Sequence, residues 1–525
     1  MSRRARGLIF YAALAALAAV FAVAAFSERR DRGASPEQDD VVARATVDTT
    51  RTVTTIPRSF LGISIEYPDV PVFTGGPGAG SNRAFAGLLA NLSSPDSGSP
   101  VVRVGGVSTD FSWWNPNDRP KPLGVIYDVK PGWLAGLRSA ARATNSPVIL
   151  SLNLAQRDPA VGADLARAAV ERLGPDTVES FELGNEPDYF ALRPLGTDRS
   201  GKTRMTRPRD YSFDDYLRDF DRQAAALRAQ APPPALAGPG FCCTPGAGWS
   251  SMTPDFLRRE AARIKLVTNH GYPLLGCQKD PEAFNYPTVA ALLAERSSHG
   301  FARALAPLVR SARAHKRPYR MSEMNSVACG GRAGVSDTFA SALWTADVAF
   351  ELASVGVVGV NFHSGQESNR YTPFWFEPRG RRLVANVRPE YYGMLLFART
   401  TAGGGSLLAL RGDQGSKLKL WAVRDRRGTI RVAALNKDPG TDRLVELRLA
   451  GRTAGASLHR LVAPSVSART GVTFAGQSIP PRSPDGRLRG RPTTESVPAR
   501  AGRYRFRVER GSAALLTIPR DFGRR

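Results

Sequence analysis

The chain has 525 residues, a formal net charge of +25, 42% hydrophobic residues, and 50 glycines and 39 prolines spread along its length. It is too long for one ordinary core and predicts at least two domains, in a globular, loop-rich protein rather than a disordered one. The basic balance suits acidic glycans or a negatively charged surface; the arginines are scattered singly with no interleaved aromatics, which argues against nucleic acid and fits a general arginine bias.

Arg3, Arg4 and Arg6 precede an uncharged run from Gly7 to Ser27 that is rich in Ala, Leu, Val and Phe. A basic start followed by an apolar run predicts an export signal over residues 1–27. The run is also long enough to stay as a membrane anchor, and Ala22-Val23-Ala24 offers a cleavage site. Cleaved or retained, it places the remainder outside the cytoplasm, secreted or at the cell surface. A buried core helix is the poorer reading, because the run is apolar on every face. Residues 28–42 are polar and read as a linker. Residues 43–57 predict a strand that joins a C-terminal β domain.

Residues 58–402 alternate short apolar runs with helix-period stretches. Eight strands are predicted: Phe60–Glu66, Val101–Gly105, Val148–Leu152, Val178–Leu183, Ala235–Gly238, Ile264–Thr268, Tyr319–Glu323 and Val357–Phe362. Helical stretches such as Ala160–Leu173, Phe213–Ala229 and Thr338–Val355 separate them. This rhythm implies parallel pairing and a closed (β/α)8 barrel. An open doubly wound sheet would want a glycine-rich turn after its first strand, and Gly62-Ile63-Ser64-Ile65 is not one. Pro389–Thr400 predicts a last helix. From 403 to 525 the pattern changes to alternating strands and turns, an all-β domain of sandwich type, with a Pro-, Arg- and Gly-rich loop at Pro480–Arg500. No two of the four cysteines have zinc spacing. Cys277 and Cys329 both fall just after barrel strands on the same face and are the expected disulfide, with four free thiols as the alternative.

Two strands end in chemistry. Phe181-Glu182-Leu183-Gly184-Asn185-Glu186-Pro187 runs into a proline, which cannot continue a central strand. Glu186 therefore stands at a carboxyl end, where such barrels place catalytic groups. Tyr319-Arg320-Met321-Ser322-Glu323 ends the same way. Two carboxyls across a sugar-sized gap can cleave a glycosidic bond, one protonated and one ionised. Asn185 can hydrogen-bond a sugar hydroxyl. The chemistry needs no metal or organic cofactor, and His363 reads as structural because an imidazole has no required part.

Asn185-Glu186-Pro187 with Glu323 three strands later resembles the clan of retaining barrel glycosidases. In that clan the acid/base ends strand four and the nucleophile ends strand seven. A narrower likeness lies in Val102-Arg103-Val104-Gly105-Gly106 with Ser108-Thr109-Asp110-Phe111, in Cys329-Gly330-Gly331 with Gly334-Val335-Ser336-Asp337, and in Pro389-Glu390-Tyr391-Tyr392-Gly393. Together they resemble the heparanase and β-glucuronidase family, glycoside hydrolase family 79, from about Phe60 to Ile518. The resemblance implies Glu186 as acid/base and Glu323 as nucleophile. It implies Tyr272 beside the nucleophile or the sugar carboxylate, amides around Gly330 and Gly331 as a cradle for a uronic carboxylate, Glu66 as a sugar-binding acid, and Ser108 and Tyr371 as further sugar contacts. Heparanase has a tyrosine where Cys329 stands, and this chain lacks its basic clusters. The implied substrate is therefore a uronic-acid glycan or glycoside cut by a β-glucuronidase, not heparan sulfate. A barrel glycosidase for a neutral sugar and a silent carbohydrate-binding protein are the alternatives.

Overall fold

The computed structural model describes residues 41–76, 81–242 and 248–520. The expectations for the leader, and for the linker as far as residue 40, lie outside the described residues. Among the described residues no helix is long and apolar enough to cross a membrane.

Eight parallel strands close into a barrel: Leu61–Glu66, Val101–Gly105, Val148–Leu152, Val178–Leu183, Leu236–Phe241, Ile264–Gly271, Tyr319–Met324 and Gly359–Ser364. The last pairs with the first, Val360 opposite Leu61. Most of these strands are buried throughout, as expected for strands covered on both faces. Local signals set the helix starts. Asp158 accepts from the Ala160 amide ahead of Pro159–Leu173, and Ser212 and Asp215 form a reciprocal capping box ahead of Phe213–Arg228. A hairpin, Phe374–Arg379 with Arg382–Val387, follows the eighth strand and was not foreseen.

The C-terminal domain is hydrogen-bonded as one ten-stranded sheet rather than two separate ones. It folds over so that Val432, Val445, Leu458, Tyr504 and Leu516 share one core. The N-terminal strand, Val41–Ile56, takes in the last two residues assigned to the linker. It lies inside this sheet, antiparallel to Gly405–Gly412 and parallel to Arg443–Arg448.

The boundary near 402 is not a break in packing. Leu407, Val423, Leu435 and Leu515 belong to the same apolar core as the barrel helices. The helix Phe339–Ser354 lies at this seam and is buried along its length except for Ser354. Its Asp347 lies 2.7 Å from Lys437 Nζ, and its Glu351 lies 2.9 Å from Lys419 Nζ. Its first amides, Phe339 and Ala340, donate to the carbonyls of Ala468 and Val466 in a β-domain loop. The Pro480–Arg500 loop reaches back across the barrel, where the Gly486 carbonyl accepts from Asn91 Nδ2 at 2.8 Å.

Candidate active site

The site lies at the carboxyl ends of the strands. Pro187 stops the fourth strand, and Glu186 turns through the left-handed region at φ 51°, with its amide donating to the Gly240 carbonyl. Such a conformation is costly for a non-glycine residue and is kept where the surroundings impose it. It places Glu186 beside His270, whose Nδ1 lies 3.2 Å from Glu186 Oε1. Glu323 ends the seventh strand and faces it. One ligand atom each from Glu186, His270 and Glu323 lie within 4.8 Å of one another.

Arg103 ties this group together from below. Its guanidinium reaches Glu323 Oε2 at 2.7 Å, Glu182 Oε2 at 2.5 Å, Asn185 Oδ1 at 3.1 Å and His270 Nε2 at 3.1 Å. Ser151 and Ser322 each donate to Glu182 at 2.7 Å. All of this is buried, where an unpaired charge would be very costly. Burial opposes ionisation of Glu323, but the charges of His363, His270 and Arg103 and the Tyr272 hydroxyl outweigh it. Its carboxyl is held far below the usual carboxylate range. For Glu182 burial again opposes, and Arg103 and His270 hold it well down. Tyr272 donates to Glu323 Oε1 at 2.8 Å, so both Glu323 oxygens are positioned.

His270 is opposed by burial and by Arg103, yet Glu323, Glu182 and Glu186 raise it from 6.5 to about 9. A raised imidazole contributes stability that is fully present below about pH 6.5 and is lost as pH rises through about 9. Urea midpoints measured across that window should fall in the wild type. In His270→Gln this part of the slope should vanish; parallel profiles would show an imidazole that is neutral in the folded protein.

A second wall of the site comes from strands one, seven and eight. Glu66 accepts from the Val107 and Ser108 amides at 3.1 and 2.9 Å. Gly106, at φ +83°, permits this, since a Cβ there would sit 2.3 Å from Glu66 Oε1. The Ser108 hydroxyl is held locally: it donates to Glu66 and accepts from the Tyr67 amide at 2.9 Å. His363 lies 3.7 Å from both Glu66 and Glu323, so it bridges two site carboxylates. Tyr371 packs against Tyr272 and His363, with ring centroids 6.1 and 5.8 Å apart. Cys329, Gly330 and Gly331 all have positive φ. A Cβ on Gly331 would meet the Tyr371 amide nitrogen at 2.7 Å. The Gly330 carbonyl accepts from the Arg370 amide, while the Gly330 amide has no acceptor among the described residues. Cys277 and Cys329 are bonded to each other, which rules out four free thiols and ties this turn to the loop after strand six.

On the other side of Glu186, Arg193 Nη2 lies 3.6 Å from Glu186 Oε2, and its Nη1 holds Asp110 and the Asn185 carbonyl. Asn185 Nδ2 is buried without a partner and is available to a ligand hydroxyl. Among the described residues two carboxylate–histidine groups have metal-ligand reach, and both already hold fixed cations. Arg103 sits on the first, and Lys419 and Lys437 on the Glu295, His299 and Glu351 group.

Sequence reading missed Arg103, Glu182, His270 and Arg193 as site residues. A signal existed for the first: an arginine inside Val101-Val102-Arg103-Val104 must find acids once the strand is buried.

Residues 420–515 match the model of the glycosyl hydrolase family 79 C-terminal beta domain. A beta-glucuronidase of Aspergillus niger is 23% identical over 517 residues, 87% of this chain and 90% of that protein. Among solved structures, a 4-O-α-L-rhamnosyl-β-D-glucuronidase from Fusarium oxysporum superposes with a TM-score of 0.71 at 19% identity, over 90% of this chain and 100% of that one. A family 51 arabinofuranosidase from Xanthomonas axonopodis gives 0.63 at 14%, over 91% and 100%. Fold and site define an enzyme of the barrel glycoside hydrolases. The structural likeness alone spans more than one family of that class, and the C-terminal match with the Aspergillus relative separates them. The C-terminal domain is that of glycoside hydrolase family 79, and most of the chain is similar to a beta-glucuronidase.

Proposed function

We propose that the protein is a retaining β-glucuronidase. The observation that carries the sugar class is the Cys329–Gly331 turn, packed against Tyr371: its Gly330 amide has no acceptor among the described residues, and that amide and the Tyr371 hydroxyl are donors suited to a carboxylate. The glucuronidase relatives support the same reading.

In the first step a Glu323 oxygen attacks the anomeric carbon and forms a glycosyl ester, while Glu186 gives its proton to the departing oxygen. In the second, Glu186 takes a proton from water, the hydroxide oxygen bonds to the anomeric carbon, and Glu323 leaves as carboxylate. Carboxyl oxygens within 4.8 Å favour this route, since an inverting pair needs about 6.5–9.5 Å to admit a water. Asn185 Nδ2 would bind a ring hydroxyl.

The test compares 4-nitrophenyl β-glucuronide with the β-glucoside. Two charge-assisted hydrogen bonds at about 1.5 kcal/mol each predict a preference for the glucuronide of at least about 100-fold in kcat/KM. Tyr371→Phe should lower the glucuronide value roughly tenfold and leave the glucoside value near where it began. Equal or faster glucoside turnover would remove the uronic-acid reading and leave the two-glutamate mechanism standing. We also place the enzyme outside the cytoplasm, on the basic-then-apolar start of the chain; recovery of the full chain in the cytosolic fraction of its host would overturn that.

A further inference from the structure

Among the described residues, eight large apolar side chains stand exposed, and six of them lie on just two loops. Val107, Leu123 and Ile126 follow the second barrel strand; Tyr189, Leu192 and Met205 follow the fourth. A single exposed leucine needs no explanation, but a cluster of this kind does. Leu192 and Ile126 are 72% and 71% exposed.

The two loops form one surface. Leu123 lies over Gly196, where a Cβ would come within 3.2 Å of it, and Leu195 lies over Gly124, where the corresponding distance is 2.5 Å. Met205 pairs with Pro194 at the base of the hairpin that carries Gly196. The surface is continuous with the acid/base. The Tyr189 amide donates to the Glu186 carbonyl, and the Leu192 amide to the Tyr189 carbonyl, both at 2.9 Å. Arg193, next in the chain, holds the Asn185 carbonyl and approaches Glu186 itself.

A general acid must face the leaving-group oxygen. The loop that begins at Glu186 therefore borders whatever is attached to the sugar, while Glu66, His363 and the Gly330 turn border the sugar. We propose that this rim is the aglycone subsite and that the natural leaving group is apolar, an alkyl or aryl alcohol rather than a second sugar. A sugar subsite would present hydrogen-bonding side chains, whereas Leu123, Ile126, Leu192 and Met205 offer none. The proposal rests on the reading of the enzyme as a glucuronidase only for the choice of sugar.

The experiment measures kcat/KM of the full chain on methyl, butyl and octyl β-glucuronide, whose leaving groups are all alkanols, and on a glucuronosyl disaccharide. Complete burial gives roughly fourfold per methylene, and half-cover roughly twofold. The expected result is a rise of at least tenfold from methyl to octyl, with the disaccharide below octyl. Leu192→Ser with Ile126→Ser should bring the octyl-to-methyl ratio to near one. Because the ratio is internal to each protein, a loss of folded material does not imitate it. Benzyl against hexyl glucuronide separates an aromatic aglycone from an aliphatic one. A ratio near one in the wild type, an unchanged ratio in the double variant, or a preferred disaccharide would each overturn the proposal. So would a flat ratio with co-sedimentation on phosphatidylcholine vesicles, which would make the rim a membrane contact. If glucosides are cleaved and glucuronides are not, the sugar assignment fails alone, and alkyl β-glucosides read the same trend. Affinity of Glu323→Gln for the series reads the contact without turnover.

Discussion

Glu323→Gln is expected to lower kcat on an aryl β-glucuronide by roughly 10⁴–10⁶-fold, the scale seen when a covalent catalyst loses its nucleophile. The replacement keeps the shape, but Tyr272 holds Oε1 and Arg103 holds Oε2, so one of the two donors keeps an oxygen acceptor and the other meets the new amide NH2. What is lost is the oxygen charge that bonds to the anomeric carbon. Glu186→Ala should behave differently on a substrate with a good leaving group, because the first step then needs no acid. The glycosyl ester should accumulate, and azide should release it as the β-azide. Azide added to Glu323→Ala should instead give the α-azide, by direct attack from the nucleophile's side. The opposite pairing of products would exchange the two roles, and full activity in Glu323→Gln would remove the mechanism.

Arg103→Met should be the most destabilising single change in the barrel. It leaves Glu182 and Glu323 buried without their shared cation, which costs about 3–5 kcal/mol for a broken buried pair. It also removes a donor fixed on the nucleophile, worth on the order of 10²–10³ in kcat. The pH dependence identifies the cause. In the wild type the Glu182 carboxyl is held below its ordinary value of 4.5, so its contribution is present above that pH and lost as pH falls. Without Arg103 the largest charge opposing burial is gone, and although His270, Ser151 and Ser322 remain, the balance moves toward the protonated acid. The variant should then be relatively better off in acid, and the gap between the two urea midpoints should narrow from pH 7.5 to pH 5. A constant gap would mean that the loss is one of packing alone.

Much of the barrel was legible because each strand is a short apolar run bounded by turn residues, and because Pro187 marks where the fourth must stop. Cys277 and Cys329 were legible for the same reason, since each follows one of two neighbouring strands. The links among Arg103, Glu182 and His270 were not. These residues lie 79 and 167 positions from Arg103 in the chain, and only barrel closure makes them neighbours. His363 was read as structural, and its place between Glu66 and Glu323 depends on the eighth strand meeting the first. Ser108 as a sugar contact was implied by the resemblance alone; in the structure its hydroxyl is held by the Tyr67 amide and Glu66. In the β domain, Gly405–Gly412 and Ala456–Val462 are hard to read as strands from sequence, the first for its glycine start and the second for its His459 and Arg460. Both are held as strands by partners distant in sequence.

The position of Val41–Ile56 has a consequence in time. Its partners, Gly405–Gly412 and Arg443–Arg448, are made only after the whole barrel. At about 5–20 residues per second, the first strand waits roughly 20–80 s after its own synthesis before the second of them exists. Throughout that interval it is a sixteen-residue strand with both edges open and no sheet to enter. Its sequence suits the wait: Arg44, Asp48 and Arg51 put charges along it, and six threonines keep it soluble. The N-terminal strand can therefore enter its sheet only after the barrel residues between it and its partners have been made.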